Sequence, residues 1–150
     1  MSAPAPKPLW QPGVTLETMN ARSERTLVSH LGIRITELGP DFLRGTMPVD
    51  ERHVQPMRIL HGGASVVLAE TLASVAANCT VDPARHAVVG QEINANHVRA
   101  VREGSLIEAV TRPLHIGARS QVWSIDIVNA AQQLVCVSRI TLAVIDRPAR

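Results

Sequence analysis

HGGASVVLAETLASVAANC, residues 61–79, decides how the chain is read. It holds no proline, opens on a Gly-Gly pair and is apolar or small on every side. A helix that is hydrophobic all round belongs in an interior. At 1.5 Å per residue, about 18 residues make a rod of roughly 27 Å. The turn DPARH, residues 82–86, ends it.

The flanking segments have a different period. IRITEL (33–38) and FLRGTMPV (42–49) alternate every second residue around Gly39-Pro40-Asp41, which predicts an antiparallel pair. After the helix, strands are expected near 87–99, 104–116, 119–130 and 133–146, where Val122, Ile125, Ile127, Val135, Ile140 and Leu142 supply β-forming content. Turn signals fall at Arg102-Glu103-Gly104, Gly117-Ala118 and Asn129-Ala130. Before the first strand, Thr15 caps a short helix, LETMNAR, with Glu17 or Thr18 in its first turn. SERTLVSHL reads as a second helix with Leu27, Val28 and Leu31 on one face, stopped by Gly32. Residues 50–60 form a loop, and the Pro-rich residues 1–13 form an arm that drapes over the body or stays loose. Short turns between consecutive strands argue an α+β domain over 14–150, an antiparallel sheet of five or six strands curled around one long central helix.

Composition narrows the partners. The 150 residues are 45% hydrophobic and 19% charged, a globular balance for one domain. Lys plus Arg is 15 against 13 for Asp plus Glu, a net charge of +2. That is too even for the basic stripe of a nucleic-acid binder, and the only aromatics are Trp10, Phe42 and Trp123, too few for base stacking. No run is long enough to span a membrane, and MSAPAPKPLW has no apolar core of a secretory signal. Cys79 and Cys136 form no CxxC. Free buried thiols in the cytoplasm are the expectation. The six histidines show no metal-ligand spacing, so no metal is expected.

Glu70 is the residue that needs an explanation. It lies mid-helix among Val66, Val67, Leu68, Ala69, Leu72, Ala73 and Val75, and no Lys or Arg occurs between Ile59 and Ala84. It therefore has no cationic partner on its own helix. Desolvation would penalise its charged form, which prepares a general base or a carboxylate nucleophile. The plainer alternative is that it reaches water or pairs with an Arg from another segment. Ser74, at i+4, shares its face and either holds a water against the carboxylate or back-bonds to the Glu70 carbonyl. His61-Gly62-Gly63 enters the helix where unpaired N–H groups and the positive dipole end meet. The Gly62 N–H is a candidate donor to a carbonyl oxygen, although Gly-Gly before a helix is also an ordinary turn. Gln55, in the preceding loop, can donate or accept, or do neither.

Gly62 and Glu70 are eight residues apart, about 12 Å along one helix, so they cannot both touch one carbonyl carbon from the same chain. If both act on one substrate, two helices meet across a two-fold axis, Gly62 of one chain facing Glu70 of the other.

QPMRILHGGASVVLAETLASVA, VVGQEINANHVRAVREG and RPLHIGARSQVWSIDI together resemble the hotdog-fold acyl-CoA thioesterases, from about Thr15 to Ile145. The nearest group is similar to the 1,4-dihydroxy-2-naphthoyl-CoA thioesterases of menaquinone synthesis. Arthrobacter-type 4-hydroxybenzoyl-CoA and phenylacetate-pathway thioesterases are related groups. The resemblance implies a helix wrapped by an antiparallel sheet, a homodimer with one continuous sheet, and dimers paired into a homotetramer. It implies Glu70 as the catalytic carboxylate, Gly62 as the amide donor, Gln55 and His61 lining the site from the other chain, and Ser74 placing the attacking water. It also implies that His97 and Arg99, with Gly117, Arg119 and Ser120, bind coenzyme A, which is part of the substrate; no separate cofactor is implied. The acyl group it suggests is aromatic. Two alternatives share the fold: a CoA hydratase using Asp50 and His53, and a non-catalytic acyl-CoA-binding module.

Overall fold

A computed structural model describes residues 8–147. The elements in order are α1 (Leu16–Arg22), α2 (Leu27–His30), β1 (Arg34–Leu38), β2 (Leu43–Val49), α3 (Gly62–Asn78), β3 (His86–His97), β4 (Ser105–Ile116), β5 (Ser120–Asn129) and β6 (Leu134–Asp146). The six strands form one sheet, ordered β1-β2-β4-β5-β6-β3, with every neighbouring pair antiparallel. This is the α+β arrangement expected, with α3 laid across one face of the sheet.

α3 carries Leu68, Ala69, Leu72, Ala73, Ala76 and Ala77 as a fully buried stripe. The stripe meets Met47, Ile107, Ala109, Ile125, Ile127 and Ile140 from the sheet. Small alanines let the rod lie close to the strands, and a Cβ at Gly45 would already sit 2.9 Å from Leu72 Cδ1. The opposite face of α3, with Val66, Val67, Glu70, Thr71, Ser74 and Val75, is only half-buried. This corrects the expectation of burial all round. Apolar composition reported how little charge that face carries, Glu70 alone, but not which neighbour covers it.

The N-terminal region also differs from its reading. Thr15 caps α1 through a capping box with Thr18, as expected. The second helix begins only at Leu27, because Arg25 takes φ 60° and Thr26 restarts the chain as a new cap. Gly32, at φ 66°, closes it with N–H bonds from Gly32 to Ser29 O and from Ile33 to Val28 O. Residues 8–13 drape over the body: Trp10 Nε1 donates to Gly39 O at 2.7 Å, and the Gln11 N–H caps α3 at Cys79 O at 2.8 Å. Residues 1–7 of the Pro-rich arm lie outside the described residues. A buried polar chain secures the same helix end. Trp123 Nε1 donates to Gln121 Oε1, and Gln121 Nε2 donates to Thr80 Oγ1, both at 2.9 Å.

β3 lies at the sheet edge, and its register with β6 slips between Gly90 and Glu92. Such a bulge bends the strand and re-aims side chains. β3 ends at His97; beyond it, the Val98 and Arg99 N–H groups share Val135 O.

Candidate active site

The loop before α3 is held by a polar knot. His53 is buried, with Nε2 2.8 Å from Leu31 O, so Nε2 carries the proton and donates. Its Nδ1 lies 3.0 Å from Asp50 Oδ1 and 3.2 Å from the Asp50 N–H. The Arg52 guanidinium, and then the Arg52 backbone N–H, bond the Asp50 carboxylate and hold it well below its ordinary value of 3.8. His53 O then accepts the His61 N–H at 2.8 Å, which fixes where α3 begins. Both His53 nitrogens are occupied within the chain, so the Asp50–His53 pair serves the loop and not the hydratase chemistry expected as an alternative. Asp50 has a depressed pKa in the folded chain, so its stabilising effect is present above about pH 4 and is lost as the pH falls toward its folded pKa. Asp50→Asn is therefore expected to lower the melting temperature at neutral pH. The gap to wild type should close steadily on acidification below about pH 4, which melting curves across a pH series will show.

At the helix entrance, His61 is the N-cap, and its Nδ1 accepts the Gly63 N–H at 2.8 Å. His61 O accepts the Ala64 N–H at 2.9 Å. Among the described residues nothing accepts the Gly62 N–H. It is a free donor at the positive end of a 17-residue helix. The His97 ring lies over Gly62, where a Cβ would come within 2.8 Å of Nε2. Gln55, Gly62, Ser65, His97 and Arg99 line one cavity of about 390 Å³. Gln55 Oε1 accepts the Met57 N–H, while its amide NH₂ has no acceptor among the described residues.

Glu70 occupies a different place. It lines a groove of about 370 Å³ with Leu27, Val28, Val67, Ser74 and Val75, and this lining is almost wholly apolar. Among the described residues it has no ion-pair or hydrogen-bond partner, so no Arg from elsewhere neutralises it. Its Oε1 rests against the bare backbone of Gly90, where any Cβ would overlap it. The back-bond from the Ser74 hydroxyl to the Glu70 carbonyl is not formed; among the described residues the hydroxyl has no partner, and the Ser74 carbonyl accepts Asn78 Nδ2 at 2.8 Å.

The structure thus brings Gln55, Gly62, His97 and Arg99 together, and Glu70 with Ser74, in two cavities that share no lining residue. His61 stands exposed at the rim as the cap. Gly117, Arg119 and Ser120 form the β4–β5 turn, closed by the Gly117 N–H on Ser120 O at 2.9 Å. Within one chain this turn is not beside His97. On β6, His97 pairs with Cys136 and Ser120 with Ala143, a separation of about 23 Å along the strand. Three residues escaped the sequence reading. Ser65 is buried in the first turn of α3, Gly90 seats Glu70, and Arg22 lines a second hollow that adjoins the groove at Val28, Ser74 and Val75. Only Gly90 carried a signal, since glycine inside a β-rich run marks a bulge or a close approach. Among the described residues no group of His, Cys, Asp or Glu gathers as a metal site requires, and no helix is long and apolar enough to cross a membrane.

Comparison with known proteins places this geometry. Residues 57–136 match the model of the Thioesterase superfamily. A 1,4-dihydroxy-2-naphthoyl-CoA hydrolase of Escherichia coli K12 is 50% identical over 138 residues, covering 91% of this chain and 99% of that protein. The proofreading thioesterase EntH of Cronobacter turicensis is 49% identical over 136 residues, covering 91% and 98%. A crystal structure of a thioesterase from Haemophilus influenzae superposes with a TM-score of 0.88 at 47% identity, over 92% of this chain and 95% of that one. An antiparallel sheet around one central helix, a free amide at that helix's entrance and a half-buried carboxylate in its middle thus accompany close sequence relatives along almost the whole length; the chain belongs to the thioesterase superfamily and is a hotdog-fold thioester hydrolase.

Proposed function

We propose that the chain hydrolyses an acyl-CoA thioester with an aromatic acyl group, giving the carboxylic acid and free coenzyme A. The observation that carries this reading is the pair of complementary half-sites: an acceptor-free Gly62 N–H in one cavity and an unpaired Glu70 in another. The carbonyl oxygen of the thioester takes the Gly62 N–H of one chain, assisted by Gln55 and His61. Glu70 of a second chain either attacks the carbonyl carbon or takes a proton from water that Ser74 positions. The C–S bond then breaks and coenzyme A leaves as a thiolate, a good leaving group that needs no strong acid beside it. Solvent ¹⁸O appearing in Glu70 after a single turnover marks direct attack. No cofactor takes part beyond the coenzyme A of the substrate.

A composite site of this kind makes the homodimer the working unit, with β3 as the edge through which two sheets continue, and a homotetramer as a pair of such dimers. It also resolves the separation noted above. His97 and Arg99 of one chain and Gly117, Arg119 and Ser120 of the other then bind a single coenzyme A. The reading places the enzyme in the cytoplasm, with which two free buried cysteines agree. The Escherichia coli relative named for 1,4-dihydroxy-2-naphthoyl-CoA supports an aromatic acyl group and a link to menaquinone synthesis.

Thiol release from benzoyl-CoA tests the activity, and subunit mixing tests the composite site. Gly62→Pro removes the donor at the first helical position, where the backbone tolerates proline although its Cβ must displace the His97 ring, and loss of one such donor costs about 10²- to 10³-fold in rate. Gly62→Pro and Glu70→Gln are each expected to be nearly inactive. In an equal random mixture about half of the dimers are mixed, each with one of two sites intact, so the mixture should recover about a quarter of wild-type activity. Recovery no greater than the sum of the separate variants overturns the shared site.

A further inference from the structure

The groove that holds Glu70 does not stop at Ser74. A second hollow of about 390 Å³ continues it toward the C-terminal end of α3, sharing Val28, Ser74 and Val75 and adding Met19, Arg22 and Cys79. Most polar groups at this far end are already paired within the chain. Ser23 Oγ donates to Met19 O at 3.2 Å, and Thr26 Oγ1 donates to Ser23 O at 2.6 Å. The Asn78 amide donates to Ser74 O and Val88 O while its oxygen accepts the Val88 N–H. Burial pushes the Cys79 thiol up, so it stays neutral, and the nearby Arg22 guanidinium opposes this only in part. Among the described residues Arg22 itself has neither a carboxylate nor a hydrogen-bond acceptor. The far end of the groove, of mixed lining, thus presents one uncommitted charge on an exposed side chain.

We propose that this end is a charge-selecting acyl subsite, in which Arg22 receives a terminal carboxylate on an acyl chain long enough to run from Glu70 to the last turn of α3. The inference rests on the acyl-CoA hydrolase reading above and names a substrate class within it. Glu70 and Cys79 are nine residues apart on the helix, so the groove runs about 13 Å. A benzoyl ring ends beside Ser74 and Val75; a straight ω-carboxyacyl chain reaches the guanidinium. Met19, Val28 and Val75 offer methylene groups an apolar wall, and the planar guanidinium fork matches a carboxylate in geometry and charge.

The test compares three thioesters on the full-length enzyme: benzoyl-CoA, decanoyl-CoA and the mono-CoA thioester of sebacic acid, which matches decanoyl in length but ends in a carboxylate. Wild type is expected to favour the sebacoyl over the decanoyl ester by about fivefold in kcat/KM, the scale of a solvent-accessible charge pair. Arg22→Ala should abolish that preference and leave benzoyl-CoA unchanged. Arg22→Glu should reverse it. Added salt should weaken both the preference in wild type and its reversal in Arg22→Glu, and change nothing in Arg22→Ala, which a purely structural role for Arg22 would not do. Hydrolysis of benzoyl-CoA with no difference between the two long esters, or an equal change on all three in Arg22→Ala, overturns the subsite while leaving the thioesterase reading intact. Failure to hydrolyse any of the three overturns that reading instead.

Discussion

Glu70→Gln is expected to lower kcat on benzoyl-CoA by about 10³-fold or more, as loss of the nucleophile or general base requires. The amide keeps the size and shape of the carboxylate but can neither attack the thioester carbon nor accept a proton from water. Substrate binding should be little affected, because the groove wall is almost wholly apolar and remains in place. The melting temperature should hold, because among the described residues Glu70 has no ion-pair partner to lose. A large fall in kcat with KM and melting temperature preserved would mark a group that acts on the reacting atoms. A variant that keeps a tenth of wild-type turnover would remove Glu70 from the chemistry.

The second large effect comes from a residue with no side chain. Gly90→Ala is expected to lower kcat by about 10²-fold, the scale of a misplacement near 1 Å at a reacting group. The added methyl would overlap Glu70 Oε1, and the carboxylate, as the free end of a flexible side chain, must yield. The backbone has no reason to follow, so circular dichroism and melting temperature should stay near wild type. Gly45→Ala makes the useful contrast. There a Cβ would meet Arg34 O at 2.8 Å and the buried Leu72, so the strain falls on backbone and core, and stability drops instead of turnover. Shortening the acid should relieve the conflict at Gly90: Glu70→Asp combined with Gly90→Ala is expected to lose less than the product of the two single losses. Fully multiplicative losses would mean that the methyl does not act through the carboxylate.

How much was legible beforehand follows from the kind of signal each feature carries. α3 and the strands were readable because period, apolar content and turn residues all recur along the chain, and their boundaries held to within about two residues. The Thr15 cap was readable because capping is local chemistry. The start of α2 was not, since the positive φ at Arg25 is imposed by the surrounding fold on a residue with no preference for it. Glu70 was conspicuous because charge is rare in such a run, whereas its seat at Gly90 depends on which part of β3 lies beneath it. The separation of the β4–β5 turn from His97 is likewise a matter of strand register, which no single segment encodes. Arg22 looked like one more arginine among fourteen; only the joined hollows set it apart.

The two indoles have a practical use. Trp10 and Trp123 are the whole tryptophan content, the chain has no tyrosine, and their rings stack 6.3 Å apart, one on the leading segment and one in the core. Ultraviolet emission from this protein therefore reports almost entirely on that single contact. Peeling residues 8–13 away from the end of the central rod should change the spectrum, while events at the carboxylate leave it dark. A fluorimeter can thus follow the fastening of the amino-terminal strap in real time, with no dye attached.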